Sequence, residues 1–338
     1  MESQTLDTSA IRSVAVIGSG LAGLTAAILL GKSGHRVRVF EKSRGPGGRM
    51  SSKRVADGAV DIGAQYFTSR NPGFLTFLEN HAGSDSFARW PASFGFQKAD
   101  KSWQSFPDET RYVGTPRMTA ITRGLSAHVE LTTQVRIAQM NRSGSRWRLI
   151  CTEDEDHGEF DQVVVTAPPA QTQDLLKASG LASLLEETRA PGGDILPCWA
   201  VAVHFRNAPA ARFDAMRPDS DVLYWVANNS SKPERNDDGQ WWVLHATPEW
   251  TDANVDASPE HVSSALLAEF KQLTGLDGEP TDSVAHRWLY ARSASSIRPG
   301  FLWDPSQGVG IAGDWLVGGR VEGAWDSASL LTEAMLAD

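Results

Sequence analysis

The sequence predicts an α/β fold in which a nucleotide-binding type of domain is split by an insertion. A buried β-rich run at 13–17 leads into the glycine-rich turn 18–23 and then into a helix rich in Ala and Leu at 24–30. Near the C-terminus, a second buried strand at 308–312 precedes a helix at 323–336. Because these features occur at both ends of the chain, we expect one discontinuous Rossmann-like domain that carries an inserted mixed β-sheet with helices.

The other elements are predicted from hydrophobic periodicity and from glycine and proline breaks. A strand at 37–40 completes a βαβ-type start, because Gly34 ends the helix before it. Alternating aromatic and polar residues at 90–103 indicate a hairpin. The remaining strands are expected at 129–131, 135–139, 147–151, 160–165, 199–205, 223–227, 241–246 and 284–291, and the remaining helices at 74–78, 116–125, 173–187 and 258–273.

The order of these elements predicts two domains. The nucleotide-binding domain is expected to comprise 1–85, 110–170 and 292–338, and the substrate-binding domain 86–109 and 171–291. The 12 tryptophans concentrate in the second half of the chain. This concentration indicates either a large aromatic pocket or an aromatic core in the insertion.

Composition and charge exclude several classes of protein. The formal net charge of −9 disfavours nucleic acid and anionic membranes as partners, because both would repel the chain. Only two cysteines occur, Cys151 and Cys198, and their separation predicts neither a disulfide scaffold nor a zinc site. No apolar run has the length of a signal peptide or a membrane span. We therefore expect a cytoplasmic protein, without a metal, that is a monomer or a weak dimer.

The turn after the first strand matches a dinucleotide-binding motif. Gly18 would make the tight turn, Gly20 would let the backbone approach a pyrophosphate, and Gly23 would let helix and strand pack closely. Leu21 and Ala22 open the helix, whose N-terminus favours an anion. The alternative is a glycine-rich turn without a ligand.

An acidic residue at the end of the next strand completes this motif. Glu41 lies 23 positions after Gly18 (41 − 18), where a carboxylate can accept a hydrogen bond from a ribose hydroxyl. Lys42 follows it and is expected at the same cofactor. A solvated strand end is the alternative reading of Glu41.

A second glycine-rich segment distinguishes between the possible dinucleotides. The segment 43–50 contains Gly48, Arg49 and Met50, and it resembles the second glycine-arginine motif of the flavin amine oxidase superfamily. The guanidinium of Arg49 can neutralise pyrophosphate charge with its fork of donors. This resemblance implies FAD as the cofactor and a glutathione-reductase-type, p-hydroxybenzoate hydroxylase-like topology.

The C-terminal segment supports FAD in the same way. Gly313 and Asp314 end a strand, and the superfamily resemblance implies that the carboxylate binds the ribityl chain. A helix N-terminus facing the flavin would stabilise negative charge on the reduced ring. Glu322, Gly323 and Ala324 open this helix. A helix cap or turn residue is the alternative reading of Asp314.

Two further inferences concern the cofactor. Val135 looks like the superfamily's residue beside the adenine, although a core valine is an equally simple reading. No cysteine follows Cys198, so a thioether attachment near the C-terminus is not possible. We therefore expect non-covalent FAD.

Several short blocks resemble one group within the superfamily, renalase and its bacterial relatives. The blocks are 61–67, 229–233, 243–247, 287–288 and 313–314. Together with the glycine motifs, the resemblance spans nearly the whole chain, from about 14 to 336. The resemblance implies an oxidase for 1,2- or 1,6-dihydro isomers of NAD(P), which would be returned to NAD(P)⁺. The small-molecule substrate would pass hydride to flavin N5, and O₂ would reoxidise the flavin to give hydrogen peroxide.

Strand alternation suggests which side chains face the substrate. We expect the catalytic pocket to include Tyr66, Asn228, His245 and Trp288, with His245 and Asn228 holding a carboxamide. Gln65 follows the flavin-binding segment and is expected to bind the cofactor. For each tryptophan the alternative is a core position, and for His245 it is a structural histidine.

The sequence leaves alternatives for the role of a basic loop and for the function. Lys232 and Arg235 could meet a substrate phosphate, but we expect an exposed loop without that role. The alternative functions are a flavin amine oxidase acting on small amines or polyamines, a carotenoid or porphyrinogen desaturase, and a flavin-binding protein without turnover. The sequence contains no Ser–His–Asp or paired-carboxylate arrangement that would indicate hydrolysis.

Overall fold

A computed structural model describes residues 11–55, 58–189, 195–207, 211–236, 238–293 and 299–338. The chain forms two compact units, and each is discontinuous in sequence. Among the described residues, the first unit contains 11–48, 125–189 and 299–338. The second contains the described residues of 49–124 and 194–294. No helix among the described residues is long and apolar enough to cross a membrane.

The described part of the chain contains both helices and strands, and most of the strands follow one another in runs between the helices. The helices are α1 (Leu21–Lys32), α2 (Pro72–His81), α3 (Thr119–Ser126), α4 (Pro169–Ala178), α5 (Ala182–Thr188), α6 (Pro248–Ala253), α7 (Pro259–Thr274) and α8 (Val321–Ala337). The strands are β1 (Ser13–Ile17), β2 (Arg36–Glu41), β3 (Ser52–Val55), β4 (Gly58–Asp61), β5 (Phe87–Arg89), β6 (Phe94–Gln97), β7 (Trp103–Ser105), β8 (Tyr112–Gly114), β9 (Glu130–Thr133), β10 (Ile137–Ser143), β11 (Arg146–Cys151), β12 (Asp156–Phe160), β13 (Gln162–Val165), β14 (Ile195–Phe205), β15 (Ala215–Arg217), β16 (Leu223–Asn228), β17 (Gln240–Ala246), β18 (Asp282–Ser293), β19 (Leu302–Asp304) and β20 (Val309–Ile311).

The first unit is built on a six-stranded sheet of order β19-β20-β13-β1-β2-β9. All neighbours pair in parallel except β19, which runs antiparallel to β20. Strand β1 is buried along its whole length, as expected for a central parallel strand covered on both faces. Helices α1 and α8 contribute Ala26, Leu30, Leu331 and Met335 to the same core as Val14 and Val164. The predicted Rossmann-like α/β fold is therefore confirmed.

The second unit is built on a seven-stranded mixed sheet of order β18-β14-β17-β16-β15-β6-β7. One face packs against helix α7 through Val262, Leu266 and Phe270. The other face packs against β4 and the residue after it, because Val60 and Ile62 contact Ala200, Ala202, Trp241 and Val243. We call this second face the β4 face. The predicted hairpin at 90–103 corresponds to the antiparallel pair β6 and β7.

The two units differ in their boundaries from the predicted domains. Residues 49–85 and 110–124 belong with the inserted sheet, and 171–189 belong with the parallel sheet. Side-chain contacts explain both shifts. Asp61 forms ion pairs with Lys232 and Arg235 of the second unit. Helix α4 contacts β10 of the first unit, where Ser179 Oγ accepts a hydrogen bond from Met140 N (2.9 Å).

Two predicted elements are also wrong in detail. The single helix expected at 173–187 is divided into α4 and α5, because Gly180 adopts a positive φ of 72° between them. The strand expected at 135–139 begins at Ile137, so Val135 lies outside it. The backbone N–H of Val135 donates instead to Glu41 O (2.9 Å) and fixes this segment beside the end of β2.

Candidate functional site

The first glycine motif of the first unit has the geometry that its sequence predicts. Gly18 turns the chain with a φ of 108°, and its N–H donates to Phe40 O (2.8 Å). A Cβ on Gly23 would collide with Gly18 O and lie 2.8 Å from Thr166 Oγ1. A Cβ on Gly20 would meet nothing within 4 Å. Gly23 is therefore required for helix–strand packing, whereas Gly20 borders open space where a ligand can approach the backbone.

The N-terminus of α1 is suited to a phosphate group. Gly20 is its N-cap residue and provides no side-chain hydrogen bond, and the first turn contains no acidic residue. The first N–H groups of a helix have no partner within the helix, so they and the helix dipole favour an anion. Gly48 adjoins this turn, because its added Cβ would lie 3.5 Å from Gly20 Cα. The two glycine-rich segments are thus in contact within the first unit.

Glu41 is held in place at the end of β2. Its side chain is buried, and Oε2 accepts hydrogen bonds from Ser19 N (3.0 Å) and Ser19 Oγ (2.7 Å). Oε1 accepts from Ser43 N (2.8 Å). A carboxylate has about four acceptor positions, so one remains for a ribose hydroxyl. Lys42 points elsewhere and donates to Gln171 Oε1 (2.8 Å).

The C-terminal residues of the predicted cofactor site meet after β20. Asp314 and Glu322 are both buried, and Glu322 lies in the first turn of α8. The N-cap residue of α8, Arg320, gives no side-chain hydrogen bond to the helix. A Cβ on Gly323 would lie 2.8 Å from Val317 Cγ2, so glycine is needed where the helix starts against this turn.

These segments share one edge of the parallel sheet. Strands β20, β13, β1 and β2 are consecutive neighbours in that sheet. The glycine turn, Glu41 and the 312–314 segment each follow the carboxyl end of one of them. Dinucleotides bind at this edge in doubly wound folds. The residues therefore fit a dinucleotide cofactor.

Comparison with protein families agrees with this geometry. Residues 16–80 match the model of an NAD(P)-binding Rossmann-like domain. Residues 105–336, more than half of the chain, match the model described as flavin containing amine oxidoreductase. The chain belongs to this flavin amine oxidoreductase family. It is a flavin-dependent oxidoreductase, and the family matches are consistent with non-covalent FAD.

Relatives with curated names match over short stretches. Hydroxyneurosporene desaturase of Rubrivivax gelatinosus is 44% identical over 57 residues, which is 17% of this chain and 11% of the desaturase. An L-amino-acid oxidase of Crotalus adamanteus is 41% identical over 56 residues, 17% of this chain and 11% of the oxidase. The matched stretch is thus about a tenth of either enzyme, and it carries no information about their substrates.

Solved structures match over nearly the whole chain. A putative protoporphyrinogen oxidase from Exiguobacterium superposes with a TM-score of 0.79 at 12% identity, covering 97% of this chain and 99% of that one. Putrescine oxidase superposes with a TM-score of 0.75 at 13% identity, with the same coverage. At these identities the similarity confirms the fold alone.

Three of the four predicted substrate residues meet at one loop of the second unit. The carbonyl oxygen of Ile62 accepts hydrogen bonds from His245 Nε2 (3.2 Å) and Trp288 Nε1 (3.1 Å). The ring centroid of Tyr66 lies 5.5 Å from that of Trp225, which is the cross-strand partner of His245. Trp225 is not among the residues predicted from the sequence, although strand alternation in β16 could have indicated it.

Asn228, the fourth predicted substrate residue, has a different set of contacts. Its side-chain Oδ1 accepts from Ser230 N (3.1 Å) and begins a short 3-10 turn. Its backbone N–H donates to Asp214 O (2.7 Å). The oxygen of its amide is therefore engaged in the turn.

His245 is a neutral imidazole with a defined tautomer. Burial lowers the pKa of His245 to about 4, and the hydrogen bond to Ile62 offsets this only in part. Because a carbonyl oxygen can only accept, Nε2 carries the proton, and Nδ1 is an acceptor. No partner for Nδ1 occurs among the described residues. Nδ1 can thus accept a hydrogen bond from a substrate.

A buried ion cluster holds the loop that carries Ile62. Lys232 Nζ lies 3.1 Å and Arg235 Nη2 2.7 Å from Asp61 Oδ2, and all three side chains are inaccessible or nearly so. Asp61 also accepts from Ser52 Oγ (2.7 Å) and Met118 N (2.9 Å). The expectation of an exposed basic loop at Lys232 and Arg235 is therefore wrong.

The pKa values of Asp61 and Lys232 are shifted in the directions that follow from burial and ion pairing. Burial would raise the pKa of Asp61, but Lys232 and Arg235 lower it below its usual range. Burial lowers the pKa of Lys232 to about 8, against the opposing effect of Asp61. One carboxylate therefore pairs with two buried cations, and the three charged groups together carry a net charge of +1.

Gln65 belongs to the same cluster. Its Nε2 donates to Asp61 O and to Gly63 O, and its Oε1 accepts from Lys232 (3.1 Å). The side-chain amide therefore closes the 61–65 loop on itself. The neighbouring residue Arg49 supports the loop from its other side, because Ala64 N donates to Arg49 O (2.9 Å). Met50 is buried next to it.

One group of metal-ligand types occurs in the described part of the chain. Ligand atoms of Cys151, Glu155 and His157 lie within 4.8 Å of one another in the first unit. Sequence analysis considered only pairs of cysteines and did not find this group. None of its members belongs to the predicted flavin-binding segments.

Substitution of Asp61 tests the ion cluster. We expect Asp61→Asn to lower the free energy of unfolding by about 3–5 kcal/mol, because Lys232 and Arg235 lose the one carboxylate that pairs with them among the described residues. Lys232→Met should cost less, since Arg235 still pairs with Asp61. Urea unfolding at pH 7 with saturating FAD measures both.

The matched control is Asp219→Asn, which breaks the exposed ion pair with Lys101 (2.8 Å). This substitution should lower the free energy of unfolding by no more than about 1 kcal/mol. An Asp61→Asn variant that is no less stable than Asp219→Asn would show that the cluster does not hold the loop.

Proposed function

We propose that this protein is a renalase-like oxidase for isomeric dihydronicotinamides, the 1,2- or 1,6-dihydro forms of NAD(P). The observation that carries the proposal is the neutral His245, fixed with its Nδ1 as an acceptor beside Trp288 and Trp225. Together with the resemblance of the 61–67 and 243–247 blocks to renalases, this arrangement favours a flat heteroaromatic ring with a carboxamide.

The reaction requires positioning more than proton transfer. When bound, the flavin would supply the redox chemistry: it would accept a hydride from the substrate, and O₂, as the final acceptor, would take up two electrons and two protons to give hydrogen peroxide. Because the driving force is aromatisation of the dihydropyridine, no strong base is needed on the protein. A histidine with a pKa of about 4 is poorly suited to general-base work at pH 7 but well suited to hydrogen bonding.

The side chains on the β4 face can have separate roles. Nδ1 of His245 would accept a hydrogen bond from the carboxamide NH₂. Trp288 and Tyr66, both half-buried, would border the ring. Asn228 pairs with Trp242, which packs with the α7 side of the sheet, so strand alternation places its side chain away from the β4 face and it would not border the ring. Lys232 would act only through the loop, because its Nζ is occupied by Asp61, Gln65 and Asn229.

Oxidation of small amines or polyamines is the alternative function. Its support is the fold shared with putrescine oxidase and with cyclohexylamine oxidase from Brevibacterium oxydans (TM-score 0.73, 12% identity). An amine substrate must lose a proton before it can donate hydride, so its rate rises with pH. A dihydronicotinamide carries no such proton.

Anaerobic titration of the flavin distinguishes the two functions. We expect 2- or 6-dihydro-NAD(P) to bleach the flavin absorbance at equimolar amounts, with a rate that is independent of pH between 6 and 8. Ordinary 4-dihydro-NAD(P)H and putrescine should leave the spectrum unchanged over the same time. Bleaching by putrescine alone would eliminate the proposal.

Two substitutions of His245 test the acceptor role of Nδ1 separately from the donor role of Nε2. His245→Asn can keep an acceptor near the position of Nδ1, whereas His245→Gln can keep a donor near Nε2 for Ile62 O. We expect His245→Gln to weaken substrate binding about tenfold, equivalent to one hydrogen bond of roughly 1.4 kcal/mol, and His245→Asn to weaken it less.

The dependence of the anaerobic reduction rate on substrate concentration gives the affinity and the limiting rate. The limiting rate should change less than the affinity in both variants. The reverse order, with His245→Gln resembling the wild type, would assign His245 a purely structural role.

A further inference from the structure

The side chains of two arginines contact the ring of one tyrosine on the seven-stranded sheet. The Cζ atom of Arg292 lies 3.9 Å from the ring centroid of Tyr224, and the Cζ atom of Arg217 lies 5.0 Å from it. Arg217 ends β15, Tyr224 lies in β16, and Arg292 lies near the end of β18. We call this group the arginine stack.

The arginine stack belongs to the same face of the sheet as His245. In the pairing of β18 with β14, Arg292 lies opposite Leu196 and Trp288 opposite Cys198, two residues further along β14, so Arg292 lies on the side of Trp288, whose indole N–H reaches Ile62 O. In β15, Met216 packs with the core on the α7 side, so the next residue, Arg217, points to the β4 face. The positive charge of Arg292 also acts on His245, where it lowers the pKa.

The positive charge of the stack is not balanced by carboxylates. Within the described ranges, the guanidinium group of neither Arg217 nor Arg292 forms an ion pair or a hydrogen bond. Two guanidinium groups on one ring repel each other, and contact with the aromatic face offsets this repulsion only in part. Such a pair of unneutralised cations is unusual in a chain with a formal net charge of −9. It fits a ligand with about two negative charges.

We propose that Arg217 and Arg292 bind the diphosphate of a dinucleotide substrate, which deepens the proposed function and rests on it. Guanidinium groups bind phosphate oxygens with paired donors, and a diphosphate carries two charges. The nicotinamide ring would then lie toward His245 and the diphosphate at the stack. The substrate class is accordingly the intact dinucleotide. The free base and the riboside bind weakly, and the stack repels ammonium groups.

Two substrates test the proposed diphosphate site, one that contains the diphosphate and one that lacks it. The flavin-loaded wild type and the double variant Arg217→Gln/Arg292→Gln are compared under anaerobic conditions with 6-dihydro-NAD and with the riboside of 6-dihydronicotinamide. We expect the double variant to bind the dinucleotide about 30-fold more weakly, consistent with loss of charge-assisted hydrogen bonds. Its limiting rate of flavin reduction and its affinity for the riboside should not change.

Arg212→Gln is the control variant. Arg212 is also an exposed arginine over an aromatic ring, that of Phe213 (5.5 Å), in the same unit. It should bind the dinucleotide like the wild type. Added salt should weaken dinucleotide binding to the wild type more than to the double variant.

Binding of ADP-ribose separates this proposal from the proposed function. ADP-ribose contains the diphosphate but no nicotinamide, and calorimetry with the flavin-loaded protein measures its affinity without turnover. If ADP-ribose binds to the wild type but not to the double variant, this result supports the diphosphate site even if no dihydronicotinamide bleaches the flavin. Equal affinity of the wild type and the double variant for both ADP-ribose and the dinucleotide overturns it, as does binding of inorganic phosphate as tightly as ADP-ribose.

Discussion

A buried carboxylate, Asp61, determines the arrangement of the second unit. Lys232 and Arg235 both pair with it, and Gln65 closes the loop that follows it. Because a buried cation without a partner costs several kcal/mol, this loop has little freedom to move once the unit is folded. The carbonyl of Ile62, one residue after Asp61, is consequently fixed where two ring N–H groups can donate to it.

The fixed carbonyl gives the candidate substrate residues their properties. It sets the tautomer of His245 and the orientation of Trp288, and burial keeps the imidazole neutral. In the first unit, backbone N–H groups and Glu41 at the carboxyl edge of a parallel sheet would bind the cofactor. When bound, the flavin would supply the redox chemistry of the proposed oxidase.

The sequence predicts the first unit well because its signals are local. Gly18, Gly20, Gly23 and Glu41 lie within one βαβ unit, so their spacing predicts their geometry. The ion cluster could not be predicted in this way, since Asp61 and Lys232 are 171 positions apart (232 − 61) and a basic residue in a loop is usually solvated. The same long-range pairing explains why residues 49–85 belong with the inserted sheet and not with the predicted nucleotide-binding domain.

The central claim is that burial keeps His245 neutral and that the Ile62 carbonyl holds its proton on Nε2. The ¹⁵N chemical shifts of His245 in the flavin-loaded protein, followed from pH 4.5 to 8, report both properties. Since its pKa is lowered from 6.5 to about 4, we predict a neutral ring with protonated Nε2 at every pH above about 5. A His245 that gains its second proton near pH 6.5, or that carries its single proton on Nδ1, would contradict this claim.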